Sequence, residues 1–162
     1  AAELYMLLSA LRQHFQHIIV NLAGQPDSEA LRTFVSHCDK LLWYCDQSVL
    51  DCRRNLPILT LWREKGMKLD HAKLLVDRYM RNVAPDSTTL GNTFGLPVLA
   101  VLPFSPELRM NVKNQGVSLF ELAPREALSQ AVKALGDRLA KRSENIKPVG
   151  RNWLTRLLGS KP

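Results

Sequence analysis

The chain has 162 residues, of which 46% are hydrophobic and 23% are charged, a composition typical of a folded domain with a buried core. Its longest apolar runs, such as residues 96–104, are far shorter than the roughly 18 residues that a membrane-spanning helix needs, and no signal-peptide pattern opens the chain. Of the net charge of +7, residues 141–162 carry +5, with six basic residues against one acidic residue, and this leaves +2 for the rest. We therefore expect a soluble, intracellular protein without a broad nucleic-acid-binding face.

Cysteine and histidine do not form a metal-binding pattern. The three cysteines are odd in number and include no CxxC pair, so neither a disulfide framework nor a structural zinc site is predicted. The four histidines show no HExxH-like grouping, and we predict ordinary packing or surface roles and no metal. These residues are Cys38, Cys45, Cys52, His14, His17, His37 and His71.

The chain begins without a methionine, inside an apolar helical pattern of leucines at 4, 7, 8 and 11, and so we expect a chain cut from a longer one. Mostly apolar runs then alternate with helical patterns. Continuous apolar runs are typical of strands buried on both faces, and the sequence predicts an α/β fold with a parallel sheet and flanking helices. The expected strands are HIIVNLA (17–23), KLLWYCD (40–46), AKLLVDR (72–78) and LPVLAVLP (96–103), with helices near 27–37, 48–64 and 86–94.

Two prolines are placed where helices can begin. Pro106 predicts a short helix, and Pro124 is expected in the first turn of a longer helix that ends near Arg142. One face of the longer helix would carry Leu128, Val132, Leu135 and Leu139. We therefore predict a main domain over 1–142, a polar linker over 143–150 and a basic amphipathic tail over 151–162.

The tail has two faces when drawn as a helix. Trp153, Leu154, Leu157 and Leu158 share one face, and Arg151, Asn152, Thr155 and Arg156 share the other. So short a helix needs a surface to fold against. An anionic membrane interface would accept the tryptophan and leucines together with the arginines. Docking on the domain itself or on a partner protein remains the alternative.

Polar residues follow the predicted strands at the sheet edge where parallel α/β folds bind ligands. Polar residues also end buried strands for structural reasons alone, and both interpretations stay open. No GxxxxGK[ST] or GxGxxG motif occurs to hold phosphates, and no GxSxG motif supports a catalytic serine. The residues at this edge are Asn21, Gly24, Asp46, Asp77, Arg78 and Pro103.

Residues 3–142 resemble the C-terminal part of the MinD/ParA-type ATPase domain, most closely its CpaE/TadZ branch, the pilus assembly proteins of Flp (Tad) pili. The most specific segment is 95–135, GLPVLAVLPFSPELRMNVKNQGVSLFELAPREALSQAVKAL, in which the strand, the xLP ending, the NQG turn and the L-x-E-L-A-P-R helix entry match in order. LLVDRYM (74–80) is similar to the family's V-x-N-R strand, and ALRQHFQHIIVNLAG (10–24) to its LRxxFDxVIVDLP stretch.

The resemblance implies a nucleotide site with two departures. Asn21 stands where the family has the acidic residue that helps to organise magnesium and the attacking water, and an amide supplies no negative charge. Asp77 stands where relatives have an asparagine that reads the adenine edge, and an ionised carboxylate cannot donate a hydrogen bond. Arg78 and Pro103 match the positions that flank the base, and Gly24 follows the switch strand. Vigorous ATP hydrolysis is therefore not expected.

The resemblance also implies a missing strand. In the family the phosphate-loop strand lies between the strands that correspond to 17–23 and 40–46, so we expect this gap to be filled by another segment or chain. Direct pairing of those two strands within one monomer would refute this expectation. ATP and magnesium are expected only in the complete protein and not for this chain alone.

Three functions follow from the resemblance. The first is a homodimeric, noncatalytic or weakly catalytic scaffold that helps to place the Flp pilus machinery at the cell pole, in the cytoplasm against the inner membrane. Its partners would be pilus biogenesis proteins, and the tail, which resembles the membrane-targeting end of MinD, would contact the membrane. The second is an active ATP-dependent dimerisation switch. The third is a partition or cell-division positioning ATPase.

Overall fold

The computed structural model describes residues 2–141, and the predicted linker and tail, including the tail residues from Arg151 to Leu158, lie outside this range. Helices and strands alternate along most of the described chain, as the sequence predicts. No described helix is both long enough and apolar enough to cross a membrane. In chain order the elements are α1 (Ala2–His14), α2 (Glu29–His37), β1 (Leu41–Cys45), α3 (Val49–Glu64), β2 (Ala72–Tyr79), α4 (Ser87–Phe94), β3 (Val98–Pro103), α5 (Pro106–Gln115), α6 (Leu119–Leu122) and α7 (Ala127–Lys141).

The three strands form one parallel sheet in the order β1-β2-β3, which confirms the predicted fold class. The β1–β2 register runs from Leu41 opposite Ala72 to Cys45 opposite Val76. On the other side of β2, the Leu74 amide donates to the Pro97 carbonyl at 3.0 Å. β1 stands at one end of this order, so one of its two edges has no neighbouring strand among the described residues.

Helices cover the sheet face that carries Trp43, Cys45, Leu74 and Val76. The register places these residues side by side, and period-two alternation puts them on one face. Each large apolar side chain buried here contributes about 1.5–3 kcal/mol. The Trp43 ring meets the Trp62 ring edge to face at 5.4 Å. The buried helix residues of this core are Leu31, Val35, Leu59, Trp62, Leu90 and Phe94.

Side-chain caps fix where the helices begin. Ser28 Oγ accepts from the Leu31 amide at 3.2 Å, and Ser48 Oγ accepts from the Asp51 amide at 3.1 Å. Asp86 does the same for the Thr89 amide at 2.7 Å. Such caps satisfy backbone donors that have no partner inside the helix. They explain why α2, α3 and α4 begin within two residues of the positions predicted from apolar periodicity.

The predicted strand over 17–23 is wrong. The structure shows no regular secondary structure there, and the side chains of Ile19 and Val20 are 92% and 43% exposed. A strand exists only through hydrogen bonds to a neighbour, and none of the described strands offers it one. Apolar content alone was therefore not enough to predict a strand over 17–23. The segment and β1 do not pair, so the expectation of a gap between them is not refuted.

Contact density divides the chain between Val101 and Leu102, inside β3. In the second unit, Leu108, Leu128 and Leu135 are buried, and the fully buried Ser129 donates its hydroxyl to the Leu119 carbonyl at 3.2 Å. Val132 and Leu139 are partly buried, which confirms the predicted apolar face of α7.

The predicted start of this last helix at Pro124 is wrong. Pro124 lies in the turn between the short helix α6, which ends at Leu122, and α7, which starts at Ala127. The α6 end and the turn after it use the backbone bonds Ala123 N to Leu119 O and Glu126 N to Ala123 O. Proline suits a turn as well as a first helical turn because it fixes φ in a range common to both.

Candidate functional site

The carboxyl end of β2 holds a buried carboxyl group. The side chain of Asp77 is 1% exposed, and the Tyr44 hydroxyl of β1 donates a hydrogen bond to Asp77 Oδ2. Tyr44 stands opposite Leu75 in the strand register, and Asp77 follows Leu75 on the same face, so the sheet itself brings the two together. A buried polar group needs such partners to offset its lost hydration. Asp77 therefore lies inside the fold and is not displayed at its surface.

Arg78 follows directly and has an unusual backbone. Its φ is 51°, in the left-handed region that non-glycine residues rarely occupy, and its side chain is exposed. Such conformations cost about 1–3 kcal/mol and persist where the surroundings hold them. Arg78 is the next-to-last residue of β2, just before the loop at 80–85.

Gln47 holds that loop. Its side chain is 6% exposed, and its Nε2 donates to the carbonyls of Met80, Val83 and Pro85 at 3.2, 2.7 and 2.9 Å. Its Oε1 accepts from the Met80 amide at 2.7 Å. One amide side chain thus contacts four backbone groups of a loop that has no regular structure of its own, and its two N–H groups are shared among the three carbonyls. The end of β1 and the loop after β2 are therefore fastened together.

The turn between β1 and α3 is also preorganised. Asp46 Oδ1 accepts from the Ser48 amide at 2.7 Å, and Asp51 Oδ2 accepts from the Asp46 amide at 2.9 Å. Asp51 Oδ1 accepts in addition from Asn55 Nδ2 at 2.9 Å. Asp46, predicted at this edge, therefore shapes its own turn.

Asn21 and Gly24 share a separate turn. Asn21 Oδ1 accepts from the Ala23 amide at 3.1 Å, and Gln25 N donates to Leu22 O at 3.2 Å. Gly24 has a φ of 76°, which favours glycine. Both residues are exposed, and no hydrogen bond of Asn21 leads out of its turn within the described residues. Pro103, the remaining predicted site residue, ends β3 and is half-buried.

Asp27 anchors the chain just beyond this turn. Its carboxylate accepts from Trp62 Nε1 at 2.9 Å and forms ion pairs with Arg32 at 2.6 Å and Lys65 at 3.8 Å. The hydrogen bond from Trp62 is the main cause that lowers the pKa of Asp27, and the two cations lower it further. The segment before α2 is therefore tied to α3 by a charged contact at its end.

The cysteines are not activated thiols. Burial is the main cause that raises the pKa of Cys45 to about 12, and it also raises the pKa of Cys38 and of Cys52. A thiol held protonated is a poor nucleophile and a poor metal ligand. Over residues 2–141, His, Cys, Asp and Glu form no group of three that could hold a metal ion.

These residues do not by themselves fit a nucleoside triphosphate. A phosphate cradle needs open backbone N–H groups at a helix N-terminus. The first turns of α2, α3 and α4 are capped by their own Ser28, Ser48 and Asp86, whereas Ser105 makes no such side-chain cap at α5. The buried carboxyl of Asp77 is engaged by Tyr44. The arrangement favours a rigid sheet edge over a phosphate-binding site.

Sequence reasoning missed Tyr44 and Gln47. The partners of Gln47 are backbone carbonyls, which leave no trace in side-chain identity, so no motif could have revealed them. Tyr44 could have been suspected, because it stands in an apolar strand next to the strand that contains Asp77. The register that makes them meet was not available from the sequence.

The arrangement of strands and helices is that of part of a MinD/ParA-type ATPase fold. The septum site-determining protein MinD of Pyrococcus horikoshii OT3, solved with Mg-ADP, is similar with a TM-score of 0.66 and 17% identity over 89% of this chain and 59% of that one. A ParA family ATPase of Chlorobium tepidum TLS gives a TM-score of 0.57 and 20% identity over 65% and 44%. The MinC:MinD cell division complex of Aquifex aeolicus gives 0.57 and 19% over 76% and 50%.

At these identities the likeness describes the fold alone. The chain spans about half the length of these solved structures, between 44% and 59%. No protein-family model matches the sequence, and no curated protein matches it.

Proposed function

We propose that this chain is part of a MinD/ParA-like scaffold with a degenerate nucleotide site, which positions the Flp (Tad) pilus machinery at the inner membrane. The observation that carries the degenerate site is Asp77, which is buried against the Tyr44 hydroxyl at the carboxyl end of β2. At the position where the resemblance expects a base-reading amide, the chain has a carboxyl group that is already engaged inside the fold.

Asn21, the second departure from the family pattern, supports the same proposal. It supplies an amide where the resemblance expects the switch acid, and it uses its Oδ1 inside its own turn. Asn21 therefore provides no negative charge for a magnesium ion, and Asp77 is engaged by the Tyr44 hydroxyl. ATP and magnesium would bind only if other parts of the complete protein supplied the phosphate cradle, and turnover would be weak or absent.

The pilus assignment rests on residues 95–135, whose strand, turn and helix entry resemble the CpaE/TadZ proteins. In this proposal the partners are pilus biogenesis proteins, the protein is a homodimer, and the tail with Trp153 and Leu157 makes peripheral contact with the membrane at the pole. Similarity to a MinD that was solved in complex with MinC is in keeping with a protein that acts through partners.

Two alternatives remain. An ATP-dependent dimerisation switch would need a working phosphate loop elsewhere in the complete protein. A partition or cell-division positioning ATPase is favoured by the names of the similar structures, a ParA family ATPase and MinD cell division proteins. Gel retardation of DNA distinguishes a partition ATPase from the scaffold. The near-neutral main domain predicts little DNA binding at physiological salt.

Localisation in cells that assemble Flp pili tests the scaffold. We expect the fluorescently tagged complete protein to form a polar focus, and deletion to scatter the pilus machinery. The Asn21→Asp variant serves as the control, since a scaffold with a degenerate site should localise like the wild type. Localisation at midcell or on the chromosome, with pili unaffected by deletion, would contradict the proposal.

A further inference from the structure

A cleft lies at the amino ends of β2 and β3, at the edge of the sheet opposite to the candidate site described above. One wall is the loop that joins α3 to β2, and the other is the turn that joins α4 to β3. Its volume is about 290 Å³, close to the lower limit of roughly 300 Å³ for small-molecule sites. We call it the amino-end cleft, and its size suits a ligand of few atoms.

Backbone hydrogen bonds hold both walls of the amino-end cleft. In the first wall, the Met67 amide donates to the Trp62 carbonyl at 3.0 Å. In the second, the Leu96 amide donates to the Gly91 carbonyl at 3.0 Å. A site whose walls are fixed before binding loses little conformational entropy when a ligand enters.

Arg63 is the best-positioned charge of the cleft. Its Nη2 donates to the carbonyls of Phe94 and Gly95 at 2.7 and 3.3 Å. Gly95 makes room for this contact, because a Cβ at that position would lie 3.1 Å from Arg63 Nη2. Within residues 2–141 the hydrogen bonds of the Arg63 side chain all use Nη2, so Nε and Nη1 are left for a ligand. A planar guanidinium of fixed orientation suits a carboxylate.

The cleft carries charges of both signs. Lys68 and Asp70 line it together with Arg63, and both are exposed. Among the described residues, the side chains of Lys68 and Asp70 form no hydrogen bond or ion pair, either with each other or with Arg63. The neighbouring Glu64 and Lys65 do not line the cleft. Two cations and one anion that leave each other unpaired match a ligand that itself has both charges.

The rest of the lining is apolar. Met67 and Leu69 are half-buried, and Leu96 is 5% exposed. Such side chains gain from covering an apolar group of the ligand, at about 25 cal/mol for each Å² removed from water. The cleft therefore combines the features that would recognise a carboxylate, an ammonium group and an apolar side chain.

We propose that the amino-end cleft binds a free α-amino acid with an apolar side chain. Its carboxylate would pair with Arg63 and Lys68, and its ammonium group would pair with Asp70. Its side chain would lie on Met67, Leu69 and Leu96. This site lies apart from the sheet edge that carries Asp77 and needs no nucleotide, so the test below can fail without touching the proposed scaffold function.

Other small ligands fit the cleft less well. A phosphate would meet the repulsion of Asp70, and a metal ion or an amine would meet the repulsion of Arg63 and Lys68. The interior of a peptide carries neither of the two backbone charges, and each of its ends carries only one. A zwitterion satisfies all three charged side chains at once.

L-leucine is the probe for this site. Titration into the isotope-labelled full chain, followed by two-dimensional NMR, should give saturable binding with a dissociation constant on the order of 1 mM. Chemical shift changes should concentrate in residues 63–70 and 95–96. No saturation at about twenty times that concentration, or shift changes spread elsewhere, would overturn the proposal.

Three analogues of leucine test each part of the contact. Isocaproate lacks the ammonium group, L-leucinamide lacks the carboxylate, and L-alanine lacks most of the apolar side chain. Each should bind about fivefold more weakly than leucine or worse. Isocaproate that binds as tightly as leucine would make the cleft a plain anion site. Leucinamide or alanine of equal affinity would likewise remove the carboxylate or the apolar contact, and any of these results overturns the proposal.

Two conservative replacements assign the charges. Asp70→Asn should weaken leucine binding about fivefold or more, yet leave isocaproate binding unchanged or stronger, because it removes a repulsion. Lys68→Gln should weaken the binding of both ligands. Both variants should fold, since neither side chain has a contact to lose within the described residues. The matched controls are Asp137→Asn and Lys133→Gln, at exposed positions of α7. Leucine affinities equal to those of the controls would refute the assignment.

Discussion

At the scale of single residues, Asp27 is the clearest electrostatic contact of the described chain. Trp62 donates a hydrogen bond to it, and Arg32 and Lys65 pair with it, so the folded state favours its ionised form and lowers its pKa. A group whose folded pKa lies below its ordinary value of 3.8 stabilises the fold above that pH. This contribution is lost as the pH falls through the folded pKa.

Replacement Asp27→Asn should therefore lower the free energy of unfolding at neutral pH, since the amide keeps an acceptor for Trp62 but loses both ion pairs. The difference from the wild type should stay constant above about pH 5 and shrink below pH 4. Urea denaturation at several pH values measures it. A difference of equal size at pH 3 and pH 7 would show that the charge does not matter. Asp70→Asn, at an exposed position, is the control.

Asp77 depends on a neutral hydroxyl for one of its hydrogen bonds. Tyr44→Phe removes that donor and leaves the rest of the side chain in place, so we expect a loss of about 1–3 kcal/mol in the free energy of unfolding. Chemical denaturation of the variant measures the loss. Tyr5→Phe, whose ring is 58% exposed, should change the stability by less than about 0.5 kcal/mol. Equal effects of the two replacements would contradict a structural role of the Tyr44 hydroxyl.

Residue pairs of this kind could not be predicted from the sequence. Asp77 was predicted as a site residue because polar groups end strands at a ligand-binding edge, yet the structure buries it. The outcome depended on which residue of β1 stands opposite Leu75, and register is set by the packing of whole strands. Gln47 was invisible because its partners are backbone atoms.

At the scale of elements, the sequence was most informative where a segment carries its own signals. The helical patterns in the sequence placed α2, α3 and α4 within two residues, and the structure shows Ser28, Ser48 and Asp86 as the caps at which these helices begin. Residues 17–23 carried only apolar content, and a strand also needs a neighbour to bond with. Pro124 was misassigned because proline suits a turn as well as a helix start.

The loop at 80–85 is the element most dependent on one distant side chain. Gln47→Leu would leave the Val83 and Pro85 carbonyls and the Met80 amide without the partner they have now, while the Met80 carbonyl keeps its bond from the Val83 amide, and we expect a loss of about 2 kcal/mol or more. Amide hydrogen exchange at residues 80–85 should accelerate more than exchange in β2. Gln13→Leu, at an exposed position in α1, is the matched control. Unchanged exchange in the loop would show that other contacts hold it.

At the scale of the whole molecule, the chain corresponds to about half of a MinD/ParA-type fold. The predicted α/β class is confirmed by the three-stranded parallel sheet. One edge of β1 faces away from that sheet, and the segment expected to be a fourth strand has no neighbour within the described residues. Both features are in keeping with a sheet that another segment or chain completes.

The proposed degenerate nucleotide site leads to a direct prediction about the complete protein. Calorimetric titration with Mg-ATP, paired with a phosphate-release assay, should show weak or absent binding and no turnover above background. Asn21→Asp should not restore hydrolysis on its own, because Asp77 remains engaged by Tyr44. Micromolar binding of ATP with measurable turnover by the unmodified protein would contradict the claim.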